Sequence, residues 1–137
     1  MEVLVVEDDR QFATYITSLI TNGGYQVTAV ESGAEALVNI AQKKYDIVLL
    51  DVFLPDATAM QLIPKMKELQ ADIKIVTMTG GDTAELEREV RELGIVFYLS
   101  KPFSPEMLME ILRHTCSRLG PVNGGPVYQQ SLVGLEL

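Results

Sequence analysis

Tryptophan is absent from this 137-residue chain, cysteine and histidine occur once each, and Lys and Arg together number 11 against 19 Asp and Glu. Each shortage closes off a class of function. A formal charge of −8 supplies no basic field for nucleic acid, whose phosphates are held by clustered Lys and Arg, so a cation or a basic partner surface suits the chain better. With Cys116 alone no intrachain disulfide can form, and a reducing compartment is the natural expectation. His114, the one histidine, falls in the last amphipathic stretch and reads as a helix-surface residue rather than a phosphodonor. No run approaches the ~20 apolar residues of a membrane span. The short apolar opening, residues 1–6, is followed by three acids instead of a small-residue cleavage site. A cytoplasmic chain with no membrane partner and no direct nucleic-acid contact is expected.

What the chain does have is apolar residues, 47% of the total, enough at this length for one core. Short runs rich in β-branched residues, at 3–6, 26–30, 46–50, 73–78 and 95–99, predict five strands. Between them lie stretches of helical period. Phe12, Ile16, Leu19 and Ile20 share one face of 12–22, and Ala34, Leu37, Val38 and Ala41 share one face of 34–41. Ser32 with Glu35 has the spacing of a capping box, and Ser104-Pro105 the pattern of a helix start. Strict alternation of strands and helices implies a doubly wound α/β fold, a parallel sheet with helices on both faces. Such sheets bind ligands at the carboxyl ends of their strands.

The stretch "KYDIVLLDVFLP", residues 44–55, ends a buried strand on a carboxylate, Asp51. The first strand ends in Glu7-Asp8-Asp9, the fourth in Thr79, and the fifth runs into Ser100-Lys101-Pro102. If the first and third strands are neighbours, ~4.8 Å apart, Glu7, Asp8 and Asp51 meet at one sheet edge and repel. A proton or a hard divalent cation would relieve them, and Mg²⁺ suits a site with few protein ligands and several waters. A metal and the ammonium of Lys101 facing one carboxylate make a pocket for a phosphoryl group, with Asp51 as the nucleophile. A flavin phosphate would be repelled by the three acids, and an aspartyl phosphatase would want a second Asp where Phe53 stands.

These residues resemble the receiver domain of two-component response regulators: "VLVVEDD", "DIVLLDVFLP", "IVTMTGG" and "YLSKPF" match, in order, the family's acidic first-strand end, phosphoacceptor strand, Ser/Thr step and Lys-Pro ending. The match runs over about residues 2–117. It implies a flavodoxin-like sheet of five strands ordered 2-1-3-4-5, and phosphorylation of Asp51 by a sensor histidine kinase or histidine phosphotransfer protein. It also implies Mg²⁺ bound by Asp8, Asp51 and the backbone carbonyl of Phe53, with Glu7 acting through a water. Thr79 and Lys101 would each hold a phosphoryl oxygen, Pro102 would follow a cis peptide bond, and Asp9 has no matching role. Thr79 moving toward the phosphoryl group would let Tyr98 swing inward and alter the face of the fourth helix, fifth strand and fifth helix. An output domain or effector would read that face, and a homodimer is open.

The run Asp56-Ala57-Thr58-Ala59-Met60 departs from the family pattern by lacking two glycines; Thr58 can still cap a helix, Asp56 adds charge near the site, and Pro64 falls inside the third helix. Residues 1–118 read as the receiver domain and 119–137 as a Gly/Pro-containing tail or linker, or as a segment docking through Val127, Tyr128, Leu132, Val133 and Leu135. No output domain follows residue 118, so a stand-alone receiver and a piece of a longer regulator are both open, the tail favouring the piece. The competing function is a degenerate receiver fold serving as a phosphorylation-independent interaction or dimerisation domain.

Overall fold

The computed structural model describes residues 1–116; the expected tail at 119–137 lies outside the described residues. Strands and helices alternate without exception: β1 (Glu2–Val6), α1 (Arg10–Asn22), β2 (Gln26–Val30), α2 (Gly33–Gln42), β3 (Ile47–Asp51), α3 (Ala59–Leu69), β4 (Lys74–Thr79), α4 (Ala84–Arg91), β5 (Phe97–Ser100) and α5 (Pro105–Cys116). All strand pairs are parallel, in the order β2-β1-β3-β4-β5. Each of the five strands falls where β-branched residues concentrate, with ends shifted by one or two positions. Among the described residues no helix is long and apolar enough to cross a membrane.

Alternation along the strands divides the core in two, because successive side chains of a strand face opposite ways. Leu4, Val6, Val48, Leu50, Ile75 and Tyr98 pack on the side of α2, α3 and α4. Val3, Val5, Ile47, Leu49, Val76, Met78, Phe97 and Leu99 pack on the side of α1 and α5. The central β3 is buried along its whole length, as a strand covered on both faces must be.

The helix starts are set by short polar side chains. Asp9 is the N-cap of α1, its carboxylate accepting the Phe12 N–H at 3.1 Å. Thr58 caps α3 and forms a full capping box with Gln61. Ser32 caps α2, but Glu35 accepts the Ser32 hydroxyl rather than a backbone N–H, so the expected box is not closed in the usual way. Ser104 opens α5 as its pattern implied, accepting the Met107 N–H. Pro64 sits inside α3, which continues unbroken to Leu69.

Candidate functional site

Strand register brings the acids together. Val6 pairs with Leu50 across β1 and β3, so the next residues, Glu7 and Asp51, stand side by side at the carboxyl edge. Continuing the alternation, both face the α1 and α5 side. One carboxylate oxygen from each of Glu7, Asp8 and Asp51 lies within 4.8 Å of the other two. Glu7 is 1% exposed and Asp51 8%, whereas Asp8 is open to solvent.

Lys101 reaches this cluster from the end of β5. Its Nζ lies 2.6 Å from Glu7 Oε1 and 3.6 Å from Asp51 Oδ1, and 4.5 Å from the centre of the Phe12 ring. Phe12 in turn meets Phe103 edge-on, their ring centres 5.8 Å apart. The other Glu7 oxygen accepts the Asp9 N–H at 3.1 Å, fixing the carboxylate against the start of α1. The Lys101-Pro102 peptide bond is cis, and the Lys101 N–H donates to the Thr79 carbonyl at 2.8 Å.

One ammonium does not balance three carboxylates. The Asp51 carboxyl is pushed up to about 6, first by burial, then by the charge of Glu7, with Lys101 opposing and Asp8 adding a smaller push. A cluster of hard oxygen ligands with surplus negative charge fits a small divalent cation such as Mg²⁺, which is bound by one or two carboxylates and completes its shell with water.

Thr79, the last residue of β4, is 1% exposed, and its Oγ1 accepts the Gly81 N–H at 3.1 Å. Phe53 is half exposed, just beyond β3. Tyr98 is 4% exposed and donates its hydroxyl to Asp82 at 2.6 Å, with the Arg91 guanidinium 5.9 Å over its ring. Asp82 also accepts the Ser100 hydroxyl. Thr79, Tyr98 and Ser100 share the α4 side of the sheet, opposite Glu7, Asp51 and Lys101.

One acid behaves differently from expectation. Asp56 does not add its charge to the pocket; its oxygens accept the N–H groups of Gly33 and Ala34 at 2.9 and 3.0 Å, at the start of α2. Those two bonds hold its carboxyl below the usual range. Asp9 is spent as the α1 cap. Asp82 escaped the sequence reading because "TGGDT" looks like an ordinary strand-ending turn; only the pairing of Thr77 with Tyr98 and of Thr79 with Ser100 puts a phenol and a hydroxyl beside it.

The sequence profile of the response regulator receiver domain matches residues 3–113. The chain is 32% identical over 112 residues to the transcriptional regulatory protein ZraR of Salmonella typhimurium, covering 82% of this chain and 25% of that protein. It is 31% identical over 121 residues to the phosphate regulon transcriptional regulatory protein PhoB of Pseudomonas aeruginosa, covering 87% of this chain and 53% of PhoB. The chain thus spans about a quarter to a half of these curated relatives. A CheY-like receiver domain protein from Methanospirillum hungatei superposes with a TM-score of 0.78 at 26% identity, covering 82% of this chain and 90% of that one. Fold, edge geometry and sequence agree, and the chain belongs to the response regulator receiver domain family.

Proposed function

We propose that the chain accepts a phosphoryl group on Asp51 from a sensor histidine kinase or a histidine phosphotransfer protein, in a Mg²⁺-dependent reaction, and passes the event to an output domain or effector. The observation that carries this reading is the crowding of Glu7, Asp8 and Asp51 around a single ammonium. Asp8, Asp51 and the Phe53 carbonyl would hold the metal, and Glu7 would assist. Bound there, Mg²⁺ neutralises charge on the transferring phosphoryl group.

The side chains divide the remaining work. An Asp51 oxygen attacks phosphorus while the bond to the donor histidine nitrogen breaks, and the histidine leaves with that electron pair. Lys101 lies within 3.6 Å of Asp51 and supplies positive charge to the phosphoryl oxygens; Glu7 keeps it aimed. Thr79 offers a hydroxyl from the adjoining strand. Thr79 and Tyr98 form the switch pair, read on the face of α4, β5 and α5. The chain acts as a signalling domain that catalyses at most its own phosphorylation and dephosphorylation, in the cytoplasm. Residues 1–118 form the receiver.

Intact-mass measurement after incubation with a small-molecule phosphodonor tests this. A gain of one phosphoryl mass that needs Mg²⁺ and is lost in Asp51→Asn is expected. No gain at any Mg²⁺ concentration would instead fit a phosphorylation-independent interaction domain.

A further inference from the structure

Phe12 stands in the first turn of α1, and its uncharged ring lies beside the one cation of the Asp51 cluster. The contacts that put it there form a closed circuit. Glu7 Oε1 accepts from the Lys101 ammonium at 2.6 Å, and Glu7 Oε2 accepts the Asp9 N–H at 3.1 Å. Asp9 accepts the Phe12 N–H, also at 3.1 Å, and the Phe12 ring returns to the ammonium, which sits over it 4.5 Å from the centre. One carboxylate thus anchors both the cation and the turn that carries the facing ring.

The ring is held as well. Phe103 meets it edge-on at 5.8 Å, and both rings pack against the core on the side of α1 and α5. A cation within about 6 Å of a ring face is attracted by the ring's quadrupole, more strongly where water is excluded. The Lys101 side chain is only 21% exposed, so the ring acts on a cation largely withdrawn from solvent. Asp51 Oδ1, at 3.6 Å, is too distant to hold the ammonium by a hydrogen bond. Lysine is a flexible stem whose ordering costs entropy, and one bond to Glu7 leaves it free to turn. The ring supplies the second restraint.

We propose that Phe12 is a positioning residue for phosphoryl transfer, its ring holding the Lys101 ammonium beside Asp51 before the phosphoryl oxygens arrive. The inference rests on the phosphoacceptor reading above and adds to it an uncharged residue of α1 that acts only through Lys101. A carboxylate in the same place would add to the surplus negative charge and compete with the phosphoryl group for the ammonium. A ring does neither, since it attracts the cation without presenting an anionic oxygen.

The test joins a spectroscopic and a kinetic measurement on the intact chain. With ¹³C-labelled lysine, and Lys101→Arg to assign the signal, NMR reads the ε-methylene protons of Lys101. A ring face shields what lies over it, so in the wild type and in Phe12→Tyr, which keeps the ring, this signal should lie upfield of its position in Phe12→Leu. Phosphoryl uptake from a small-molecule donor with Mg²⁺, followed by intact mass, should slow about fivefold in Phe12→Leu and recover most of its rate in Phe12→Tyr. On a Lys101→Ala background Phe12→Leu should make no further difference, because the ring then has no cation to hold. A Lys101 signal that Phe12→Leu leaves in place would overturn the proposal. So would equal slowing by Phe12→Leu with and without the Lys101 ammonium, the mark of a merely structural role. If the wild-type chain gains no phosphoryl mass at any Mg²⁺ concentration, the phosphoacceptor reading fails, while the ε-methylene signal still decides whether Phe12 holds the ammonium.

Discussion

Asp51 and Asp82 sit at the same carboxyl edge of one sheet, Asp51 on the side of α1 and α5, Asp82 beside Tyr98 and Ser100 on the side of α4. Asp51 is buried among like charges, and its carboxyl is pushed up to about 6. Asp82 is exposed and has a short hydrogen bond on each oxygen. Surplus charge held in place is chemically available: a cation or an electrophile gains more from Asp51 than water does. A carboxylate engaged on both oxygens fixes its neighbours instead. The two faces of the sheet thus separate a reactive site from a restraint, with Thr79, at the end of β4, linked to both by its backbone bond from Lys101 and its side-chain bond from Gly81.

The sharpest way to break this comparison is to remove charge from the reactive side. Lys101→Ala takes away the only ammonium paired with Asp51 among the described residues, and the rate of phosphoryl uptake from a small donor should fall on the order of 100-fold, measured by intact mass over time. A loss below threefold would mean that Lys101 serves only to neutralise Glu7.

Next in size is a stability effect of opposite sign to the usual mutation. Because folding raises the Asp51 pKa, the neutral acid is favoured in the folded chain; stability is fully present below the ordinary value near 3.8 and is lost as pH rises through about 6. Without Mg²⁺, Asp51→Asn should therefore stabilise the protein at pH 7.5 by about 1–2 kcal/mol, discounted because the site opens to water, with the gain vanishing below pH ~4. Denaturant titrations at both pH values check this, and a destabilised Asn variant at pH 7.5 would contradict it.

On the restraining side the effects are smaller. Tyr98→Phe keeps the ring and loses one hydrogen bond to Asp82, costing about 1 kcal/mol in denaturant unfolding. Asp56 gives the smallest and most sharply signed effect. Its carboxyl is held low by the Gly33 and Ala34 N–H groups, so its contribution is present above the usual carboxylate range and is lost as pH falls through its depressed value. Asp56→Ala should lower the melting temperature slightly at pH 7 and leave it unchanged at low pH.

Much of this arrangement was legible in the sequence because it follows from local pattern. β-branched runs gave the strands, and alternation gave the parallel sheet. Glu7, Asp8, Asp51, Thr79 and Lys101 could be picked because each falls at a strand end. What escaped was tertiary. Asp56 and Asp82 are acids in turns, and a turn acid looks alike whether it caps a helix 22 or 23 residues away or binds a tyrosine 16 residues on. The approach of the Phe12 ring to the Lys101 ammonium was equally hidden, since α1 and the end of β5 meet only once the sheet has formed.

The carboxylate cluster carries negative charge in excess of what Lys101 neutralises. Titrating Mg²⁺ while following the thermal unfolding midpoint tests it most directly, because a ligand that binds only the folded chain stabilises it in proportion to the logarithm of its concentration once the site is filling. The midpoint of the wild-type chain should climb with Mg²⁺ at pH 7.5 and that of Asp51→Asn should climb far less; identical curves for the two chains, or a flat wild-type curve, would contradict the account.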